Sequence, residues 1–223
     1  MANKAIKYPL CAVLFYSLIM AGCKKQAAPN AVLSLQYQSS IGSYSQSCEY
    51  MPGSFSCLAY SSIVGNTTHS PGVDSVTLGY SSYLGPVGSN NGCQLEINQT
   101  YAINRLDSQN GQWWVKNDSD FTRVFQNGSV ATSAAYYLAS NVNVLIIMSG
   151  DSTGGYSFIY GDTSDHFSIT QATNIQVLRS NGQYGPGLFV YSRFSGRMVR
   201  VGSPFDTIKV SNGVFQGVFT ERI

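Results

Sequence analysis

Five Asn-Gly dipeptides punctuate the chain, at Asn91-Gly92, Asn110-Gly111, Asn127-Gly128, Asn181-Gly182 and Asn212-Gly213, each between short runs that are apolar or alternate. Both residues of the pair tolerate the positive φ that a two-residue type I′ turn demands, so Asn-Gly between such runs is the strongest short-range signal for a β-hairpin. Alternation by two implies one face on a core and one on solvent. This reading predicts strands over 73–83, 95–106, 112–116, 156–160, 174–179, 188–194, 207–210 and 214–219. The nearly continuous apolar run 142–148 predicts a strand buried on both faces. No segment sustains a helical stripe, and the best helical candidate, 132–139, is short.

Roughly a dozen short strands joined by close turns make the chain all-β, as an antiparallel β-sandwich or a closed β-barrel with little helix. No repeat of fixed period forces a propeller. Residues 36–72, rich in Ser, Tyr and Gly, are the least regular part and are expected to form an irregular layer stapled by a disulfide. A length of 223 residues fits one domain over 31–223, and 43% apolar content with 13% aromatic is enough for a core. Only 11% of residues are charged, where a soluble domain usually has about a quarter. The surface is therefore polar and neutral rather than ionic.

The amino terminus reads as an address. Lys4 and Lys7 precede an uncharged apolar run over 9–21, shorter than the ~20 residues that a membrane span needs. A positive start, a short apolar middle and small residues at the end make a secretory signal peptide over 1–22. It ends in Met20-Ala21-Gly22-Cys23, which resembles the lipobox of bacterial lipoproteins, with methionine where leucine is commonest. The resemblance covers only this leader. It implies that the Cys23 thiol takes a diacylglyceryl group, that cleavage frees its amine, and that the amine is acylated in turn by a fatty acid such as palmitate. Several chains, at roughly 0.8 kcal/mol per buried methylene, suffice for stable anchoring. A secreted protein cut near Ala21 and an uncleaved signal anchor are the alternatives. Lys24 stands where, by analogy with enterobacterial lipoproteins, aspartate would retain the protein in the inner membrane, so the outer membrane is favoured. Residues 23–30 then form a lipidated cysteine and short tether, whose seven residues after Cys23 span at most about 25 Å.

Charge narrows the partners. The chain has 13 basic and 11 acidic residues; without Lys4 and Lys7 the count is 11 against 11, and without Lys24 and Lys25 it is 9 against 11. A folded part this close to neutral lacks the basic footprint of a nucleic-acid binder. The expected partners are a membrane, through the lipid anchor, and an envelope protein or glycan.

Cys11 leaves with the leader and Cys23 is lipidated, so Cys48, Cys57 and Cys93 remain. Export favours one disulfide, and the Cys48 to Cys57 spacing suits neighbouring strands, with Cys93 left over, although three pairings stay open. His69 and His166 stand at no zinc spacing, so neither a metal nor a cofactor is expected.

Several motifs could carry function. The stretch 148–155, with Gly150-Asp151-Ser152, superficially resembles the nucleophile block of one esterase family, but a nucleophile needs a base within reach, and the alternating helices of that family are missing. A Gly-rich turn is the plainer reading. Residues 161–166 gather Asp162, Asp165 and His166, yet lack calcium-loop spacing and read as a connection. Trp113 and Trp114, adjacent on a strand, point to opposite faces, so one could stack on a sugar or a partner. Arg193, Arg197 and Arg200 flank Ser195-Gly196; a hairpin there would bring guanidinium groups onto one patch able to grip a carboxylate, phosphate or lipid head group. The expectation is a non-enzymatic, lipid-tethered envelope β-domain that recognises a protein, glycan or surface polymer. A carrier of lipid or small molecules with a closed barrel, and a serine hydrolase around Ser152, are the alternatives.

Overall fold

At Asn110-Gly111 the expected hairpin forms. β7 (Leu106–Gln109) and β8 (Gln112–Val115) pair antiparallel with Gln109 opposite Gln112, and Asn110 takes φ 53°. The computed structural model describes residues 32–49, 57–63, 68–70, 73–85, 92–110, 112–126, 128–129, 141–147, 155–158, 165–178, 182–200 and 202–221, with backbone alone at 57–63, 68–70, 73–74, 129, 141–147, 158, 178 and 204. Cys23, Ser152, the tether and the helical candidate 132–139 lie outside the described residues.

The other elements, in chain order, are β1 (Val32–Ser39), β2 (Gly42–Glu49), β3 (Cys57–Ile63), β4 (Thr68–Ser70), β5 (Val73–Leu84) and β6 (Gly92–Ala102). A 3-10 turn over Ile103–Arg105 leads into β7, and α1 (Asp118–Val124) follows β8. Then come β9 (Gly128–Ser129), β10 (Asn141–Ile147), β11 (Tyr156–Phe158), β12 (His166–Leu178), β13 (Tyr184–Arg200) and β14 (Ser203–Thr220).

The expected all-β class holds, and every described pairing is antiparallel. The main sheet runs β2-β1-β14-β13-β11-β10-β6-β5-β3, with β12 also on β13 and β4 on β5. Among the described residues its end strands β2 and β3 do not pair, so the alternative of a closed barrel gives way to a sandwich. The sheet folds back so that β14 lies against β3 and β5. A Cβ on Gly217 would come within 2.5 Å of Ser82 Oγ; bare backbone at that point lets the layers approach.

Two expected turns are absent. β13 runs straight through Ser195-Gly196, and β14 runs straight through Asn212-Gly213. At Ser211 and Asn212 the strand instead takes in one extra residue, and both neighbours slip in register there: Phe194 opposes Gly213 while Gly196 opposes Val210, and Gln36 opposes Val214 while Gln38 opposes Ser211. This is a β-bulge, with Asn212 at φ 52°. It changes which residues face inward. Ile208 and Val210 are buried before it, and Phe215 and Phe219 after it, so the apolar positions pass from even to odd without a break in the strand.

Residues 36–49 are more regular than expected. β1 and β2 pair without a slip from Val32 opposite Glu49 to Ser39 opposite Gly42. Their turn lacks Asn-Gly and is closed by Ser39, whose hydroxyl donates to the Gly42 carbonyl at 2.8 Å and accepts from the Ile41 amide at 3.3 Å.

The helix at Asp118–Val124 is one that the sequence reading does not predict. Asp118 and Asp120 sit in its first turn and Arg123 in its last, as the helix dipole favours. Its Phe121 and the C-capping Phe125 pack on Tyr80 of β5 at ring-centroid distances of 5.1 and 5.9 Å, and Phe125 also lies 4.8 Å from Phe219 of β14. These rings close one end of the core.

Candidate functional site

The bulge in β14 shapes the outer face of the sheet. Around it β12, β13 and β14 bound an open groove of about 580 Å³, lined by His166 and Ser168 of β12, Arg193, Phe194 and Ser195 of β13, and residues 211–214 of β14. Register explains the grouping: His166 stands opposite Ser195, Ser168 opposite Arg193, and Arg193 opposite Val214. Directly opposite residues share a face, so these side chains form two adjacent rows on one face, His166 with Ser195 and Ser168 with Arg193 and Val214.

The groove floor is fixed by close contacts. A Cβ on Gly213 would meet the Phe194 ring and carbonyl oxygen at 2.6 Å. Asn212 donates through Nδ2 to Gln38 Oε1 of β1 at 3.0 Å, which orients the αL residue. On the far side β12 carries its own register slip between Ile169 and Gln171, where Thr170 Oγ1 donates to the Tyr191 carbonyl at 3.1 Å. Asp165 sits over the α-carbon of Gly196 and accepts from the Arg197 amide at 2.9 Å.

Hydroxyls from Ser168, Ser195 and Ser211, the Asn212 amide, the His166 imidazole and the Arg193 guanidinium thus line one concavity, and no carboxylate is among its described lining residues. Arg193 and His166 are exposed, and no hydrogen bond or ion pair joins the Arg193 side chain to any described residue. Such a set donates and accepts hydrogen bonds and attracts negative charge. Among the described residues no group of three His, Cys, Asp or Glu side chains could hold a metal ion.

Without a hairpin at Ser195-Gly196, the three arginines are set by the straight run of β13. Arg193 and Arg197 are exposed on one face of β13, about 13 Å apart at strand rise. Arg200 instead pairs with Asp206 Oδ2 at 3.1 Å, and the Tyr156 hydroxyl donates to Asp206 Oδ1 at 3.3 Å. Trp113 and Trp114 belong to the separate β7–β8 sheet and are both half-buried; Trp113 packs on the core, and Trp114 lies opposite Asp107. His166, read from sequence as part of a plain connection, opens β12 and lines the groove.

Cys93 is buried and free, and burial pushes its thiol well above the ordinary range, which keeps it protonated and inert. Cys48 is half-buried against the core on β2, and Cys57 opens β3 with its side chain outside the described residues.

A second concavity of about 300 Å³ lies beside α1. Its two cations share one carboxylate: Arg105 and Arg123 stand 3.3 and 3.8 Å from Asp120 Oδ1, with the Asp120 side chain buried. The Tyr101 hydroxyl, which accepts from Tyr80 at 3.2 Å, donates to the Asp120 carbonyl at 3.4 Å, and burial pushes it up to about 12. This is an internally satisfied cluster bracing the helix. Comparison of the chain with protein-family models, curated proteins and solved structures finds no match.

Proposed function

We propose that this chain is a lipoprotein of the bacterial envelope, held by acylated Cys23 and favouring the outer membrane, whose β-sandwich binds a glycan or other polar surface polymer in the β12–β13–β14 groove without chemical change. One observation carries the binding reading: a 580 Å³ groove whose polar lining is three hydroxyls, an amide, an imidazole and a guanidinium, within the ~300–1,000 Å³ usual for ligand sites. Position supports it as well. Asn212 bonds Gln38 near the far end of β1, about 20 Å along the strand from Val32, where the tether enters. A disulfide between Cys48 and Cys57 would pin β2 to β3 in the same oxidising compartment.

Metabolic labelling with a fatty-acid probe, with Cys23→Ser as the control, tests the anchor; a wild-type chain without label contradicts it. A glycan array probed with the acylated protein in detergent tests the groove. Ser211→Trp, at an exposed position, fills the groove and is expected to abolish the array signal, whereas an unchanged signal would place binding elsewhere.

A further inference from the structure

We infer that the groove selects an anionic saccharide, one bearing a carboxylate or a phosphate, with its acid group on Arg193 and His166 and its hydroxyls on the serines and Asn212. This rests on the reading of the groove as the binding site and names the chemistry of what fills it.

Three other described arginines have a carboxylate beside them. Arg105 and Arg123 share Asp120, and Arg200 carries Asp206. Arg193 differs: its cross-strand neighbours are Ser168 and Val214, both neutral. A sheet ordinarily compensates a charge with an opposite one directly across or on the diagonal. Along the same face Arg197 stands directly opposite Lys209. The nearby Asp165 has one oxygen engaged by the Arg197 backbone amide. The outer face therefore carries the Arg193 guanidinium in the groove, with Arg197 and Lys209 further along the same face.

A guanidinium offers a planar fork of donors that matches the two oxygens of a carboxylate or phosphate, and such charge-assisted bonds are stronger than neutral ones. The flanking hydroxyls and amide add neutral donors and acceptors suited to a polyol. Together they fit an acidic sugar better than a neutral one or a bare ion.

Titration calorimetry on the full acylated protein in detergent tests this with three probes: an oligogalacturonate for the carboxylate source, a phosphorylated mannan for the phosphate source, and neutral dextran. At least one acidic probe is expected to bind tighter than dextran by about tenfold or more at low salt, with the advantage shrinking as salt is raised. Arg193→Gln is expected to remove that advantage and Arg193→Lys to restore part of it, while Arg123→Gln changes nothing. The arm that binds identifies the source of the charge. Dextran binding as tightly as both acidic probes, or Arg193→Gln leaving the preference intact, overturns the inference. Blocking by Ser211→Trp in that case would still support the groove as the site; binding of all probes untouched by Ser211→Trp would overturn the groove reading itself.

Discussion

The inner and outer faces of β13 and β14 lie a strand's thickness apart and follow opposite rules. Inward, Val190, Phe194, Met198, Ile208, Val210 and Phe215 are all buried, and shape alone selects them. Outward, Arg193, Arg197, Lys209 and Ser211 are exposed, and no packing constraint dictates their identity. The bulge at Ser211 and Asn212 links the two. It lets one long strand keep its apolar residues inward on both sides of an irregular point, and in doing so it bends the outer face into the groove. On the proposed reading, a device that keeps apolar residues inward on one face shapes the binding groove on the other.

Removing the bulge should break this link most severely. Deleting Asn212 forces either Ile208 and Val210 or the Phe215 segment onto the solvent face. With roughly 1.5–3 kcal/mol for each buried aliphatic side chain, the expected loss is about 3–6 kcal/mol. Urea unfolding measures it, and a loss under about 1 kcal/mol would mean that the bulge is incidental. Next in size, Phe125→Ala removes the ring that joins α1 to Tyr80 and Phe219. It should cost about 3–5 kcal/mol, while the fraction that stays folded binds ligand as before, because the groove lies elsewhere.

Gly213→Ala sharpens the comparison, since its new methyl would strike the Phe194 ring and carbonyl from within the strand. An overpacking cost of about 1–3 kcal/mol is expected, together with weaker binding, because Gly213 is itself among the residues lining the groove and relief of the clash shifts its backbone. A variant as stable as the parent in urea would show that the contact yields.

A smaller effect distinguishes the interior from the surface by pH. Glu96 is buried on β6, where it accepts from Ser81 Oγ at 3.1 Å and Gln94 Nε2 at 3.3 Å. Burial raises its carboxyl above the ordinary value of 4.5, outweighing the lowering by its hydrogen bonds with Asn98 and Ser81. The folded state therefore holds the proton more tightly than the unfolded chain. This contribution to stability is complete below the ordinary carboxylate value and is lost as pH rises through the raised one. Unfolding midpoints followed from acid to neutral pH should carry a downward component that Glu96→Gln removes. Identical profiles for both proteins would contradict the assignment. Least of all, Arg123→Ala should cost under about 1 kcal/mol in urea, because the Arg123 side chain is 61% exposed and Arg105 still holds Asp120.

Much of the architecture was legible from alternation and turn chemistry, and the failures have physical causes. Asn110-Gly111 and Asn212-Gly213 are the same dipeptide, and both asparagines take φ near 50°. At 110 the flanking strands pair with each other, while at 212 β1 and β13 already flank both halves of β14 and hold it extended. The positive φ was readable, but whether the chain reverses is a tertiary decision. The change from Ile208 and Val210 to Phe215 and Phe219 was a signal for a bulge, since a phase change is equally compatible with a turn or an inserted residue. The helix was hidden by its length, although Phe121, Val124 and Phe125 stand at the i, i+3, i+4 spacing of a one-sided helix.

At the groove, Arg193 was singled out through a hairpin that does not form, and its actual neighbours come from β12 and β14. Arg193 and Asn212 lie on consecutive long strands, and which residues of β14 stand beside Arg193 depends on a register that no local motif reports. His166 reads from sequence as part of a connection because its chain neighbours are turn formers, whereas its partner on the adjacent strand is Ser195.

The most direct test of the central claim is residue-by-residue amide shift mapping of the protein with an acidic oligosaccharide. The account predicts changes clustered at 166–168, 193–195 and 211–214, with the β7–β8 hairpin and the Asp120 cluster silent. Changes centred on Trp113 and Trp114 or on Arg105 and Arg123, with the groove amides unmoved, would contradict it.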